Sequence, residues 1–191
     1  MGATDPNSNY LRNNFVRISE VSSLSNHQFF FEPVVLSVSA IYSPVSAGLT
    51  ESIVATPKMI TAAICDISPV DGLEHPIYDD IEGISEYYSF KHNRDMPQWG
   101  DIFSPYSKFV RIEDEEERKN FCDIVDQYLD IFAGAVWKST MNYNRADERY
   151  EGQLYYCEKQ RKNDKTRKIL EKYFGSKWAN DYINKVLFDE P

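Results

Sequence analysis

The stretch GQLYYCEKQRKNDKTRKILEKYFGSKWANDYINKVLFDEP, Gly152 to Pro191, decides how this chain is read. Seven Lys or Arg fall between Lys159 and Lys172, in a chain whose formal net charge is -9. At the centre of this basic run sits Asn163-Asp164-Lys165, a single carboxylate among cations. Segregated charge of this kind serves an anionic ligand, an acidic partner or a solvated helix face, and composition alone does not choose among them. The order of residues is helical. Ile169, Leu170, Tyr173 and Phe174 share one side, and Gly175 is a stop. Ser176 reads as the cap of a final helix with Trp178, Tyr182, Ile183 and Val186 inward.

Working outward, a helical region is expected from about Arg145 to Phe174. Glu113 to Met141 is the clearest helix. Acidic residues fill its first turn, as the helix dipole favours. Phe121, Ile124, Val125, Tyr128, Leu129, Phe132 and Val136 recur at the spacing of one apolar stripe. Another helix is expected around Ile77 to Tyr88, and FSPYSKFVRI (Phe103 to Ile112) has room for a strand from Lys108. MITAAICDIS (Met59 to Ser68) is a continuous apolar run of strand length, suited to a sheet covered on both faces. FFFEPVVLSVSAIY (Phe29 to Tyr42) reads as one or two strands broken at Pro33. SPVSAGLTESIVATP reads as loop with at most a short strand. Strands precede helices, which makes an α+β layered domain.

The bulk numbers narrow the class. A chain of 191 residues forms one domain or two small ones, and buries about 70% of its unfolded surface. Aromatic residues make up 14% of the chain, which suits a large core or a flat conjugated ligand. The acidic balance argues against nonspecific nucleic-acid binding. Cys65, Cys122 and Cys157 have no metal or disulfide spacing and read as reduced, mostly buried thiols of an intracellular protein. His27, His75 and His92 form no metal motif. No apolar run is long enough to span a membrane, and the N-terminus lacks the core of a signal peptide. A soluble intracellular monomer is expected.

Several residues could carry chemistry. Asp66 ends an apolar strand. It is either a turn residue satisfying backbone N–H groups before Ser68-Pro69, or a desolvated proton donor usable near neutral pH. Either Asn163 or Asp164 caps the following helix, or Asp164 is a second acid–base group with Lys165 facing a ligand carboxylate. Arg94 and Trp99, in HNRDMPQWG, are a loop Arg and a core Trp, or a carboxylate clamp beside a stacking surface for a planar ligand.

Taken together, ITAAICDISP (Ile60 to Pro69), MPQWGDIFSPYSKFVR (Met96 to Arg111) and the run from Gln160 to Glu190 resemble the ferredoxin-dependent bilin reductases, in particular those that make phycocyanobilin. The resemblance covers roughly residues 57–191. It implies a three-layer α/β/α sandwich with a central antiparallel sheet. Biliverdin IXα would lie between the sheet and the C-terminal helices. Reduced ferredoxin would deliver the electrons, with no flavin or metal bound. By the same resemblance Asp66 is the central proton donor and Asp164 a second active-site aspartate. Arg94, Lys165 and Asn163 line the substrate, and Trp99 stands at the pocket edge. Because ferredoxins are acidic, Lys159, Arg161, Lys162 and Lys168 become a docking face. The expected function is reduction of biliverdin to phycocyanobilin or phycoerythrobilin. Residues 1–56 do not match the family's upstream strands or its Glu and His. They are expected to be divergent or incomplete within a single domain spanning 1–191. The alternative is a protein that binds a bilin without fully reducing it.

Overall fold

The computed structural model describes residues 34–40, 47–55, 59–70, 72–139 and 145–188. A five-stranded antiparallel sheet forms its centre. The strands are β1 (Val34–Ala40), β2 (Ala47–Ala55), β3 (Ile60–Pro69), β4 (His92–Asn93) and β5 (Lys108–Ile112), in the order β1-β2-β3-β5-β4. β3 forms where the apolar run predicts it. It pairs with β2 along its length, from Ala47 opposite Pro69 to Ala55 opposite Ile60. This corrects two expectations. AGLTESIVA is a full strand rather than loop, and residues before 57 do supply the neighbour that β3 needs. β1 begins just after Pro33 and pairs in turn with β2. Phe29 to Phe31 and His27 lie outside the described residues.

Side chains alternate across the sheet, so each strand feeds both faces. Leu49, Ala63, Cys65, Ile67, Val110 and Ile112 face one way and form the main core with the helices on that side. Those helices are α1 (Ile77–Tyr87) and α2 (Glu115–Lys138). α2 starts where Asp114 caps it, its side chain accepting from the Glu117 N–H. Phe121, Ile124, Tyr128 and Phe132 of the expected stripe are buried. Leu129 is not; it stands exposed on the outer edge.

The second helical layer is α3 (Ala146–Arg161), α4 (Asp164–Phe174) and α5 (Ser176–Tyr182), which continues into a π-helical turn, Ile183–Leu187. The region read as one helical run is broken at Lys162-Asn163. There Asn163 caps α4 by accepting from the Thr166 N–H. Tyr156 and Cys157 of α3 pack with Ile102, Ile183 and Phe188 in a second, smaller cluster. Two expectations fail here. Ser176 makes no capping bond, since the helix starts from Gly175 at φ 81. Trp178 and Val186 are exposed rather than inward. Instead Phe174, Trp178 and Tyr182 stack on one another, with ring centroids 4.5 and 4.7 Å apart. Cys122 is exposed, while Cys65 and Cys157 are buried, and none of the three is in a disulfide among the described residues.

α3 approaches the sheet most closely at Gly152. A Cβ built there would lie 1.7 Å from the Val70 carbonyl oxygen just past β3. A backbone atom cannot step aside as a side chain can, so only glycine lets α3 seat at this distance. Gly152→Ala is therefore expected to destabilise the protein by about 3 kcal/mol, the upper range for an overpacked site. Urea denaturation checks this, and an unchanged midpoint would show that α3 does not seat against Val70.

Candidate active site

The face of the sheet turned toward α3 differs from the core face. Register sets Thr50 opposite Asp66, Ser52 opposite Ile64 and Val54 opposite Ala62, with Phe109 opposite Ile64 on the other side. Ser52, Val54, Ala62, Ile64 and Phe109 are only half-buried, whereas Thr50, Asp66 and Ser68 are sealed. The result is a partly uncovered sheet surface, closed at one end over a polar cluster.

Asp66 is the centre of that cluster and is fully buried. Its Oδ2 accepts from the Ser68 hydroxyl at 2.6 Å and from the Ser104 backbone N–H at 3.0 Å. Its Oδ1 accepts from the Ser104 hydroxyl at 2.5 Å. Burial pushes the Asp66 carboxyl up from 3.8 to about 6, against the downward pull of the hydrogen bonds from Ser104 and Ser68. A carboxyl so placed holds a proton close to neutral pH and can release it to a base brought nearby.

Ser104 reaches Asp66 because its loop is held from both sides. The Tyr106 N–H donates to Ser104 Oγ at 3.2 Å, and the Tyr128 hydroxyl of α2 donates to the Tyr106 carbonyl at 2.9 Å. From the other layer, Lys159 bonds Asp101 at 2.7 Å, and the Tyr155 hydroxyl donates to the same carboxylate at 2.5 Å. Asp101 lies in the short 3-10 turn Gly100–Ile102 that leads to Ser104. The ammonium of Lys159 and the hydroxyl of Tyr155 hold the Asp101 carboxyl below its ordinary range.

Ser68 also meets Thr50 at 3.4 Å, and Thr50 meets the hydroxyl of Tyr156 on α3 in a very short contact. Gln160 Nε2 donates to that same hydroxyl at 2.9 Å. Sequence reading missed Thr50, Ser68, Ser104, Tyr156 and Gln160. One signal was present: Ala62, Ile64, Asp66 and Ser68 occupy alternate positions and so share a face. Tyr156 and Gln160, four apart on a helix, were a second.

The remaining candidates fall into two groups. Arg94 stands at the open face: its guanidinium lies 5.3 Å from the centre of the Phe109 ring and donates to the Thr61 carbonyl at 2.8 Å. Its Nε is buried and has no hydrogen-bond partner among the described residues. Trp99 is half-buried in the smaller cluster, tilted on Phe103 at 5.9 Å. Asp164 is exposed and paired with Lys168 at 2.7 Å, and that ammonium holds its carboxyl below the ordinary range. Asp66 and Asp164 are thus not brought into one constellation: one is sealed under the sheet layer, the other faces water. Asn163 serves as the α4 cap, and Lys165 is exposed beside Asp164. Among the docking candidates, Lys159 is tied to Asp101, and Arg161 donates to the Phe188 carbonyl at 2.6 and 2.9 Å. Lys162 and Lys168 form exposed ion pairs with Glu158 and Asp164, each at 2.7 Å.

Residues 49–189 match the family model described as ferredoxin-dependent bilin reductase. The chain belongs to that family. The match begins at β2, upstream of the boundary expected near residue 57. A phycocyanobilin:ferredoxin oxidoreductase of Prochlorococcus marinus is 36% identical over 198 aligned positions, covering all of this chain and 80% of the relative. That alignment includes residues 1–56, which sequence reading had left unmatched. A phycocyanobilin:ferredoxin oxidoreductase of a Synechococcus strain is 42% identical across 73% of this chain, but the aligned part spans 58% of that relative. Among solved structures, tomato phytochromobilin synthase in complex with biliverdin superposes with a TM-score of 0.68 at 19% identity, covering 82% of this chain and 60% of that one. This last likeness is one of fold: helices on both faces of an antiparallel sheet, the expected three-layer α/β/α sandwich.

The raised Asp66 has a consequence for stability. In the folded state it holds its proton to about pH 6, while in the unfolded chain it loses it near 3.8. Its contribution is therefore fully present below about pH 4 and is lost as pH rises through about 6. The span corresponds to about 3 kcal/mol. Asp66→Asn removes this term. Its stability relative to the parent is expected to rise by roughly that amount between about pH 4 and pH 7, read by urea unfolding at each pH. A constant difference across the range would show an Asp66 that titrates normally.

Proposed function

We propose that the chain catalyses ferredoxin-dependent reduction of biliverdin IXα to a phycobilin, phycocyanobilin or phycoerythrobilin, with Asp66 as the central proton donor. The observation that carries this reading is a fully buried carboxyl with a pKa raised to about 6, set in the sheet face turned toward the C-terminal helices, where the resemblance puts the substrate. Each reduction step adds an electron from outside and a proton from within. Asp66 supplies the proton, and its hydrogen-bond donors stabilise the carboxylate that remains. Ile64, Phe109 and Ala62 give the conjugated ring system an apolar floor beside that donor. Arg94, perched on Phe109, is the cation placed to meet a propionate at the open end.

Asp164, Lys165 and Asn163 lie at the start of α4 and are proposed to join the site when substrate draws that helix end inward. Trp99 borders it through Phe103. The alternative of binding without reduction rested on absent upstream strands and on an unmatched Glu and His; β1 and β2 are present, and His27 lies outside the described residues. The test is direct: biliverdin is added to purified protein and followed by absorbance, then a ferredoxin-reducing system is supplied and products are separated by chromatography. A spectral shift followed by conversion supports the proposal. A shift without conversion shows a binding protein, and no shift overturns both.

Asp66→Asn is expected to keep biliverdin binding and lose turnover by on the order of 100-fold, since an amide of the same shape has no proton to give. Product formation at the parent rate would remove Asp66 from the mechanism.

Docking of an acidic ferredoxin on the basic run is expected to use ammoniums that stand in solvent rather than those that hold the fold. Lys162, Lys168 and Lys172 meet this condition, whereas Lys159 and Arg161 anchor Asp101 and the Phe188 carbonyl. Reversing Lys162, Lys168 and Lys172 to Glu should lower ferredoxin-driven turnover at low salt, with the deficit shrinking as salt screens charge beyond about 8 Å. Biliverdin affinity should stay within about twofold, because surface charges at that range are screened. Equal turnover of variant and parent at low salt would place the docking face elsewhere.

A further inference from the structure

The hydrogen bonds around Asp66 have a direction that can be worked out, because a hydroxyl has one proton to donate. Ser68 spends its proton on Asp66 Oδ2 at 2.6 Å. At its contact with Thr50 it must then accept, so Thr50 donates. Thr50 has then used its only proton, so in its contact with Tyr156 the phenol donates. The Tyr156 oxygen in turn accepts from Gln160 Nε2, an amide nitrogen that only donates. With Ser68 donating to the carboxylate, every bond of the run points from α3 toward it. The other donor to Oδ2 is the Ser104 backbone N–H, which cannot reverse at all.

Oδ1 is different. Its side-chain donor is the Ser104 hydroxyl, at 2.5 Å, and the Ile67 backbone N–H also lies against the carboxyl. That hydroxyl can turn round and accept, because its oxygen already accepts from the Tyr106 N–H and has a second lone pair. We propose that the acidic proton of Asp66 resides on Oδ1, and that Tyr156, Thr50 and Ser68 are positioning residues that lock Oδ2 as an acceptor. This rests on the reading of Asp66 as a proton donor. The proton leaves from Oδ1, the bond electrons stay on the carboxylate, and the Ser104 hydroxyl rotates to donate to the new anion. Tyr156 thereby acts on the reaction from the helical layer. The other titratable side chains around Asp66 do not disturb this order. Cys65 beside it on β3 and Tyr128 on α2 are both held in their neutral forms, their pKa values raised chiefly by burial.

Infrared spectroscopy of the ligand-free protein tests this. Below pH 6 the protonated Asp66 gives a carboxylic C=O band, identified as the band that Asp66→Asn abolishes. If Oδ2 is the carbonyl oxygen, Ser68→Ala removes one of its two donors and the band moves to higher frequency. Ser104→Ala, which alters only the O–H side, leaves the band close to its parent position. Tyr156→Phe gives a smaller upward shift and raises the proton affinity of Asp66 by about threefold, because the anion loses part of its support. Thr50→Val should match Tyr156→Phe, and Thr50→Ser should restore the parent spectrum. The reverse pattern, with Ser104→Ala moving the band and Ser68→Ala not, puts the proton on Oδ2 and overturns the proposal. A Tyr156→Phe band and titration identical to the parent, with only the melting temperature lowered, overturns the role of Tyr156. Should Tyr156→Phe fail to fold, the Thr50→Val and Thr50→Ser pair decides by the same criterion. The readout needs no bilin. Bands as expected beside full turnover in Asp66→Asn would therefore sink the catalytic reading while leaving the proton placement intact.

Discussion

An ionisable carboxyl with no exposed surface is the constraint around which this structure is arranged. Taking the Asp66 carboxylate out of water without partners would cost several kcal/mol. Hydrogen-bond donors offset most of that: Ser68 and the Ile67 backbone on the same strand, and the hydroxyl and N–H of Ser104 on a distant loop. The balance is incomplete, and what is left over appears as a pKa near 6. A stronger set of donors would hold the group permanently ionised. A weaker one would leave it permanently neutral. Either would remove the proton exchange near neutral pH that the proposed chemistry requires.

The donors hold their places because the Ser104 loop is tied to both helical layers. Tyr128 reaches it from α2, and the Asp101 pair with Lys159 and Tyr155 reaches it from α3. An anchor of this kind changes the meaning of the basic run at the C-terminus. Lys159 looks on paper like one more surface cation, yet it is largely covered and contributes to the geometry around Asp66. Exposed partners such as Lys162 and Glu158 contribute little to stability by comparison.

Legibility in the sequence followed the chemistry of each element. β3 and α2 were plain because burial makes their patterns regular. β2 was read as loop because Gly48, Thr50, Glu51 and Ser52 dilute its apolar signal. The polar positions that hid it include Thr50, which serves the cluster at Asp66, so the site itself obscured the strand that carries it. Asp66 was found because a carboxylate ending an apolar run stands out. Tyr156 was not, because its hydroxyl partner lies 106 residues away and a tyrosine on a helix looks like core. Hydrophobicity alone puts Trp178 inward, but its ring and that of Phe174, stacked on one another, shelter part of their surface while remaining exposed. The break at Lys162-Asn163 was suggested by the capping residues and smoothed over by the continuous helical propensity on either side.

The two helical layers are not held to the sheet in the same way. α2 shares a broad apolar core with β2 and β3, whereas α4 has no buried residue and packs chiefly on α5, and the smaller cluster around Tyr156 and Ile183 is separate from the main one. Cooperative units in proteins follow such divisions. By that rule the α3–α5 layer with its π-helical turn is expected to open at lower free energy than the sheet with α1 and α2. Its amides would exchange with solvent through a sub-global opening that leaves the main core intact. Such an opening uncovers the sheet face at Asp66 without unfolding the strand that bears it, giving a large planar molecule a route to a carboxyl that the closed fold seals completely.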